Sequence, residues 1–289
     1  MNKFAQLLFV LLIVASCSYG FRGGGLDTST ENALPIKMEK EPPGFGENKL
    51  KKQARWYRVY WGAMTVGDLF INLIPTEEGY GMRTSIQSKG LAKMVSNWQG
   101  ESGSTMRFVY PDKYLPTRFK TSFQLRDRKR RIDIHWDENG KVIKEINEPP
   151  ENRNKRPAVD EELKQNTGDP LTSILMARSE LRKSILEGRT EFDVPYYDGR
   201  RKTNLHFKIY GADKNGNIHI AFVEKPIAGY TNNELKEMKK NSPAFHLYLS
   251  PHDLFPLAGK GESFVGTAYM RLKKECATLD ECIKASNEN

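Results

Sequence analysis

Residues 56–75 read "WYRVYWGAMTVGDLFINLIP". Aromatic and β-branched side chains dominate and polar ones punctuate them, which is the composition of strands rather than of a helix. Gly62 and Gly67 bend the run. Its apolar residues do not keep to one parity: Trp56, Tyr60 and Met64 share one, Tyr57, Val59 and Trp61 the other. A strand that is apolar on both sides must be covered on both faces or must line a cavity.

The same theme continues downstream. "YGMRTSIQSKG" and "STMRFVYPDKY" are further strand-like segments. Phe119, Phe123 and Leu125 fall on one face of a strand, and Ile132, Ile134 and Trp136 on one face of the next. The two registers do not match through Arg126–Arg131, which predicts a turn or bulge there. Asn139-Gly140 and Asn215-Gly216 are hairpin signals. The polar, proline-bearing stretch 147–168 is expected to be a mobile loop. One clear helix follows, with Asp169 at its N-cap, Pro170 in its first turn and Gly188 at its end. Leu171, Ile174, Leu175, Leu181 and Ile185 form its apolar stripe. Strands return from Glu191, a polar helical turn or loop occupies 232–241, and the remainder reads as a final hairpin. No repeat is present. The pattern predicts a mainly β, mostly antiparallel sheet around one helix.

The N-terminus has a different character. Lys3 precedes an apolar run, Phe4–Ala15, that is too short for a bilayer core, which needs about 20 residues, and suits a cleaved secretory signal. Val14-Ala15-Ser16-Cys17 resembles a lipobox, in which Cys17 becomes the acylated first residue. Ser18-Tyr19-Gly20 offers an ordinary signal-peptidase site instead. The chain has three cysteines. Acylating Cys17 leaves Cys276 and Cys282 as an even pair, expected to be a disulfide in an exported protein. That arithmetic favours the lipobox. Ser18 stands where an inner-membrane retention aspartate would sit, so the expected location is the outer membrane of a Gram-negative envelope, facing the periplasm, with a soluble periplasmic protein as the alternative. The chain then divides into a lipoprotein signal at 1–16, a flexible tether at 17–52, a β-rich domain at 53–275 and a C-terminal tail at 276–289. A coil of the tether's length spans about 30 Å.

The net charge of the chain is +9 and is concentrated. Lys113–Arg131 holds eight lysines and arginines against Asp127 alone. Arg126, Arg128, Lys129, Arg130 and Arg131 crowd its end. Outside the cytoplasm such a patch suits anionic lipid headgroups rather than nucleic acid, because arginine's planar fork matches phosphate oxygens. A solvated hairpin end is the simpler reading and is placed ahead of it.

"YRVYWGAMTVGDL", "DPLTSILMARSELR", "VPYYDGRRKTNLHFKIYG" and "LYLSPHDLFPLAGKGESFVGTAYMRL" occur in this order. Together, over about Ala54–Leu272, they resemble the exported bacterial domain-of-unknown-function family 3108. The resemblance implies a secreted or lipid-anchored, mostly β protein without an assigned reaction. It also implies a curled sheet, a half-barrel or open barrel around a central helix, similar at a distance to LolA/LolB-like lipoprotein carriers.

Catalytic signals are weak. His252-Asp253 are adjacent, which in a strand sends them to opposite faces, and a turn explains Asp253. His135, His206, His219 and His246 are scattered, without the spacing of metal ligands. Asp169 is explained as a cap and Asp198-Gly199 as a turn. No nucleophile elbow, phosphate loop or zinc motif occurs, so no catalytic residue, metal or cofactor is assigned. The expected function is non-catalytic binding of a lipid, lipoprotein or other acylated envelope precursor. Trp61, Trp136, Ile174 and Leu175 are the candidate lining residues of a concave surface large enough for an acyl chain, with the arginine-rich turn at its rim. A scaffold whose concave face holds an envelope protein is the alternative, and a hydrolase of envelope polymers a third reading.

Overall fold

The computed structural model describes residues 35–36, 51–109, 113–240, 244–263 and 266–288. Cys17, the leader and nearly all of the tether lie outside the described residues. The quoted stretch forms the first hairpin, β1 (Gln53–Trp61) and β2 (Met64–Pro75), turning at Gly62 with φ +53°. The β1–β2 ladder is irregular at Val66, where one residue is skipped next to Gly67. A Cβ on Gly67 would stand 2.7 Å from the Trp98 ring, so its bare backbone is what lets that indole pack.

β3 (Gly79–Ser88), α1 (Gly90–Ser96), β4 (Trp98–Val109) and β5 (Lys113–Leu125) follow. Next come β6 (Arg128–Trp136) and β7 (Val142–Glu148). The turn between β5 and β6 is Arg126-Asp127, within the span where the registers failed to match. A long connection carrying α2 (Glu161–Lys164) and α3 (Thr172–Leu186) leads to β8 (Glu191–Tyr197) and β9 (Lys202–Ala212). β10 (Ile218–Ala228), α4 (Asn232–Lys240), β11 (Phe245–Leu249) and β12 (Pro256–Ser263) precede β13 (Gly266–Cys276) and α5 (Leu279–Asn287). The expected final hairpin is thus three strands.

All thirteen strands form one antiparallel sheet, ordered β7-β6-β5-β4-β3-β2-β1-β13-β12-β11-β10-β9-β8. The pairing of β1 with β13 joins a meander of the first seven strands to a meander of the last six. The sheet is not closed into a barrel: β7 and β8 are its edges, and the connection between them carries α3. Both Asn-Gly turns occur as expected, and each is braced by an aspartate. Asp137 accepts the amides of Asn139 and Lys141, and Asp213 those of Asn215 and Asn217.

The double-sided apolar pattern of β1 and β2 has a structural cause. Tyr57, Val59, Trp61 and Leu69 enter a large core cluster. Ala54, Trp56 and Phe70 lie in a separate cluster with Cys276 and Cys282, against which Leu279 and Ile283 of α5 pack. The pair is therefore covered twice. The C-terminal residues, read as a tail, form a helix tied down by the Cys276–Cys282 disulfide. In the chain-entropy model so short a loop contributes only about 2–3 kcal/mol, so α5 owes its place chiefly to burial of its apolar side.

The stretch 147–168 is a second correction. Its polarity suggested a mobile loop, yet those charges are internal partners. Arg156 is buried and donates to Glu151 and Glu234 at 3.1 and 2.6 Å. Glu151 also accepts from Arg130 and Arg200. Arginines that meet carboxylates in this way fix a segment that has few apolar side chains of its own.

The edges β7 and β8 approach one another through side chains rather than a backbone ladder. Asn147 donates to the Gly199 carbonyl at 2.9 Å, and the Tyr197 hydroxyl donates to Glu145 at 2.6 Å. Gly199, at φ +87°, sits against β6, where a Cβ would lie 2.5 Å from Ile132.

Candidate functional site

The site is built around the start and one side of α3. Asp169 is fully buried. One of its oxygens accepts the amides of Leu171 and Thr172 at 2.7 and 3.1 Å, satisfying the orphan donors of the first turn. The other accepts the hydroxyls of Thr172 and of Ser104 on β4. The cap is thereby also a clamp between helix and sheet. Burial pushes the Asp169 carboxyl above its ordinary value, and these hydrogen bonds pull it back only in part.

The helix belongs to two apolar clusters. Leu181 packs with Leu69, Leu205, Phe207, Ile220, Phe222 and their neighbours. Leu171 and Leu175 pack with Phe119, Ile132, Ile134, Trp136 and Tyr197. Beside the helix is a cavity of about 150 Å³. Ile174, Ala177 and Leu181 bound it from α3, and Ile71, Phe222, Leu247 and Met270 from the sheet. Its room comes partly from β12, which presents Gly259 and Gly261 to this side. A Cβ at Gly261 would strike the Phe245 ring at 2.3 Å, so that ring occupies the vacated space. At Gly259 the nearest side-chain atom is 3.0 Å from where a Cβ would be, and the cavity extends past it. Two glycines two residues apart in "AGKG" are the legible signal for this strip without side chains.

One end of the cavity is formed by Leu254, Phe255 and Pro256. This segment is held by a cation on each of two elements. Arg55 of β1 and Arg178 of α3 lie over the Phe255 ring at 4.1 and 4.4 Å. Arg178 donates from Nε to the Asp253 carbonyl at 2.9 Å, and Arg55 pairs with the Asp253 carboxylate. Asp253 also accepts the Phe255 amide at 3.1 Å, as a turn aspartate does, while His252 is exposed. Burial pulls the Arg178 guanidinium down to about 10, so it stays cationic at neutral pH. Among the charged residues, Arg178 and Lys260 line the cavity.

The sequence-predicted residues separate. Ile174 lines the cavity, whereas Leu175, one position on, is fully buried in the second cluster with Trp136. Trp61 lies in the first cluster and does not line the cavity. None of Arg126, Arg128, Lys129, Arg130 and Arg131 lines it either. Arg128 and Lys129 are exposed, Arg130 meets Glu151, and Arg131 lies 3.7 Å from Asp133 and 3.6 Å from Glu148. At about 150 Å³ the cavity is smaller than an acyl chain requires. Among the described residues no cluster of three or more histidine, cysteine or acidic side chains could hold a metal ion. None of the described helices is long and apolar enough to cross a membrane.

Fold and site together define an open, antiparallel β protein with an apolar interior. The family model described as "Protein of unknown function (DUF3108)" matches residues 57–273, and the chain belongs to that family. No curated protein matches it. Among solved structures, it is similar to a beta-barrel-like protein of domain-of-unknown-function family DUF1849 from Brucella abortus, at 8% identity and a TM-score of 0.47. That similarity covers 78% of this chain and 96% of the other. Neither match indicates a catalytic family.

Proposed function

We propose that this chain is a non-catalytic binding protein of the bacterial cell envelope, anchored through acyl chains on Cys17, whose interior takes an apolar portion of a lipid, lipoprotein or acylated precursor. In this reading the open sheet is a half-barrel curled around α3. Support for the curl comes from the contacts of α3, which touches the edge strand β8 as well as β4 and β5 near the other edge.

The observation that carries the binding role is the apolar cavity against Ile174, Ala177 and Leu181. At about 150 Å³ it has the size at which an apolar cavity stays dry and accepts a benzene-sized guest. A longer chain enters by its end and shifts the Leu254–Pro256 segment. Arg178 then stands in the wall to meet a carboxylate or phosphate head.

A fluorescent fatty-acid probe tests this. Wild type is expected to bind it, and Ile174→Trp, which fills the cavity, to weaken binding about tenfold, the equivalent of about 1.4 kcal/mol. Absence of binding by wild type, or equal binding by the variant, contradicts the proposal.

A further inference from the structure

The opposite face of the sheet carries a second feature. On β1, Val59 faces the core, so Tyr60 faces out; on β13, Met270 faces in, so Tyr269 and Arg271 face out. The register aligns these strands. Tyr248 of β11 is opposite Ala258 of β12, which is opposite Arg271. In the next row Lys260 is opposite Tyr269, which is opposite Tyr60. The small Ala258 leaves a depression among larger neighbours. The result is a groove of about 390 Å³ lined by these six residues together with Gly62, Gly259 and Met270.

One of the three phenol rings is held in place. Tyr248 stacks on His219, with centroids 4.7 Å apart and planes 9° from parallel. His219 stacks in turn on Tyr210 at 4.7 Å, and its Nε2 is 3.0 Å from Nδ1 of His246. Burial, and then the neighbouring His246 and Lys260, pull the His219 imidazole down to about 4. It therefore stays neutral at physiological pH, and the stack carries no net charge of its own. Tyr269 is 42% exposed. Arg271 is exposed, and its side chain makes no hydrogen bond or ion pair among the described residues.

We propose that this groove binds an anionic saccharide, its sugar faces stacked on Tyr60, Tyr248 and Tyr269 and its acidic groups met by Arg271 and Lys260. The C–H groups on a pyranose face are weakly positive and suit the negative face of a phenol, whose hydroxyl can also meet sugar hydroxyls. The guanidinium fork of Arg271 matches a carboxylate or phosphate. The volume lies in the range of small-molecule sites, about 300–1000 Å³. Single-stranded nucleic acid also stacks on aromatics, but it requires cations that track a backbone over about four or more nucleotides. This groove offers two.

Calorimetric titration of the full chain with tetragalacturonate tests the assignment, with cellotetraose and oligothymidylate as comparison ligands. The oligouronate is expected to bind more tightly than either. Tyr269→Ala and Arg271→Ala should each weaken it about five- to tenfold. Both residues are exposed, and an unchanged urea midpoint establishes that the fold is intact. Arg128→Ala, at the tip of the β5–β6 turn, should leave binding unchanged. The proposal is overturned if tetragalacturonate does not bind, or if Tyr269→Ala binds it as wild type does. It is also overturned if Arg128→Ala abolishes binding, which means charge alone, or if oligothymidylate binds more tightly through the same residues.

Discussion

Replacing Asp169 with alanine is expected to lower the free energy of unfolding by about 2–5 kcal/mol and to loosen α3 from β4. The size follows from what is left behind. Loss of a helix N-cap costs about 0.5–2 kcal/mol. Asp169 also serves the buried hydroxyls of Ser104 and Thr172; these lie 3.1 Å apart, so one can still donate to the other, and the second is left without an acceptor at a cost of about 1–3 kcal/mol. Asp169→Asn keeps the oxygen that accepts the amides of Leu171 and Thr172, and it removes a charge whose burial is unfavourable, so it should cost about half as much. Because the folded carboxyl titrates above its ordinary value, its charged form disfavours folding as pH rises through that window. The asparagine variant should lack that decline. Urea unfolding followed by circular dichroism at several pH values measures all three effects. An alanine variant as stable as wild type would mean that the helix start is not clamped as described.

A loss of similar size, about 3–5 kcal/mol, is expected for Asp198→Ala, because it removes the closest partner of a buried cation and leaves Arg201 with the more distant Glu234, 3.9 Å away. Arg201 is 2% exposed and donates to Asp198 from Nε and Nη2 at 3.0 and 2.8 Å. Asp198 also accepts the amides of Arg200 and Arg201, closing the turn that puts Gly199 against Ile132. The loss should therefore be felt where the two sheet edges meet. Burial pushes the Asp198 carboxyl up, but Arg201 and Arg200 and the hydrogen bonds outweigh it and hold the group below 3.8. A depressed carboxyl stabilises the fold above its unfolded value and loses that contribution as pH falls through the folded one. Wild type should thus lose stability below about pH 4. In Asp198→Asn, stability should be lower at neutral pH and fall less on acidification. A variant with the wild-type acid limb would assign that limb to other carboxylates, Glu151 and Glu234 among them.

Much of the fold was legible because its signals are local. Alternation gave the strands, Asp-x-Asn-Gly gave two turns, and Asp169-Pro170 with Gly188 bracketed the helix. The helix stripe was legible as apolar but not as two faces. A helix packed on several sides has no single stripe, so Ile174 and Leu175 looked equivalent although both pack in the second cluster and only Ile174 reaches the cavity. Thr278-x-x-Glu281 is a capping signal that marks α5, with Thr278 accepting the Glu281 amide at 3.2 Å and Glu281 reaching back to Ala277. It was open to reading and explains the second covered face of β1. Long-range register was not. His219 and His246 looked scattered until the pairing of β10 with β11 set them side by side, and the charges of 147–168 looked solvated until Glu234 and Arg200 met them.

The claim that the interior holds an apolar ligand is tested most directly on protein taken from its own membrane. Native mass spectrometry of the gently extracted chain should show a non-covalent apolar adduct, beyond any acyl mass on Cys17, in wild type. The same adduct should be absent from Ile174→Trp. A wild-type spectrum containing only the mass of the acylated chain, or an adduct that persists in Ile174→Trp, would contradict the account.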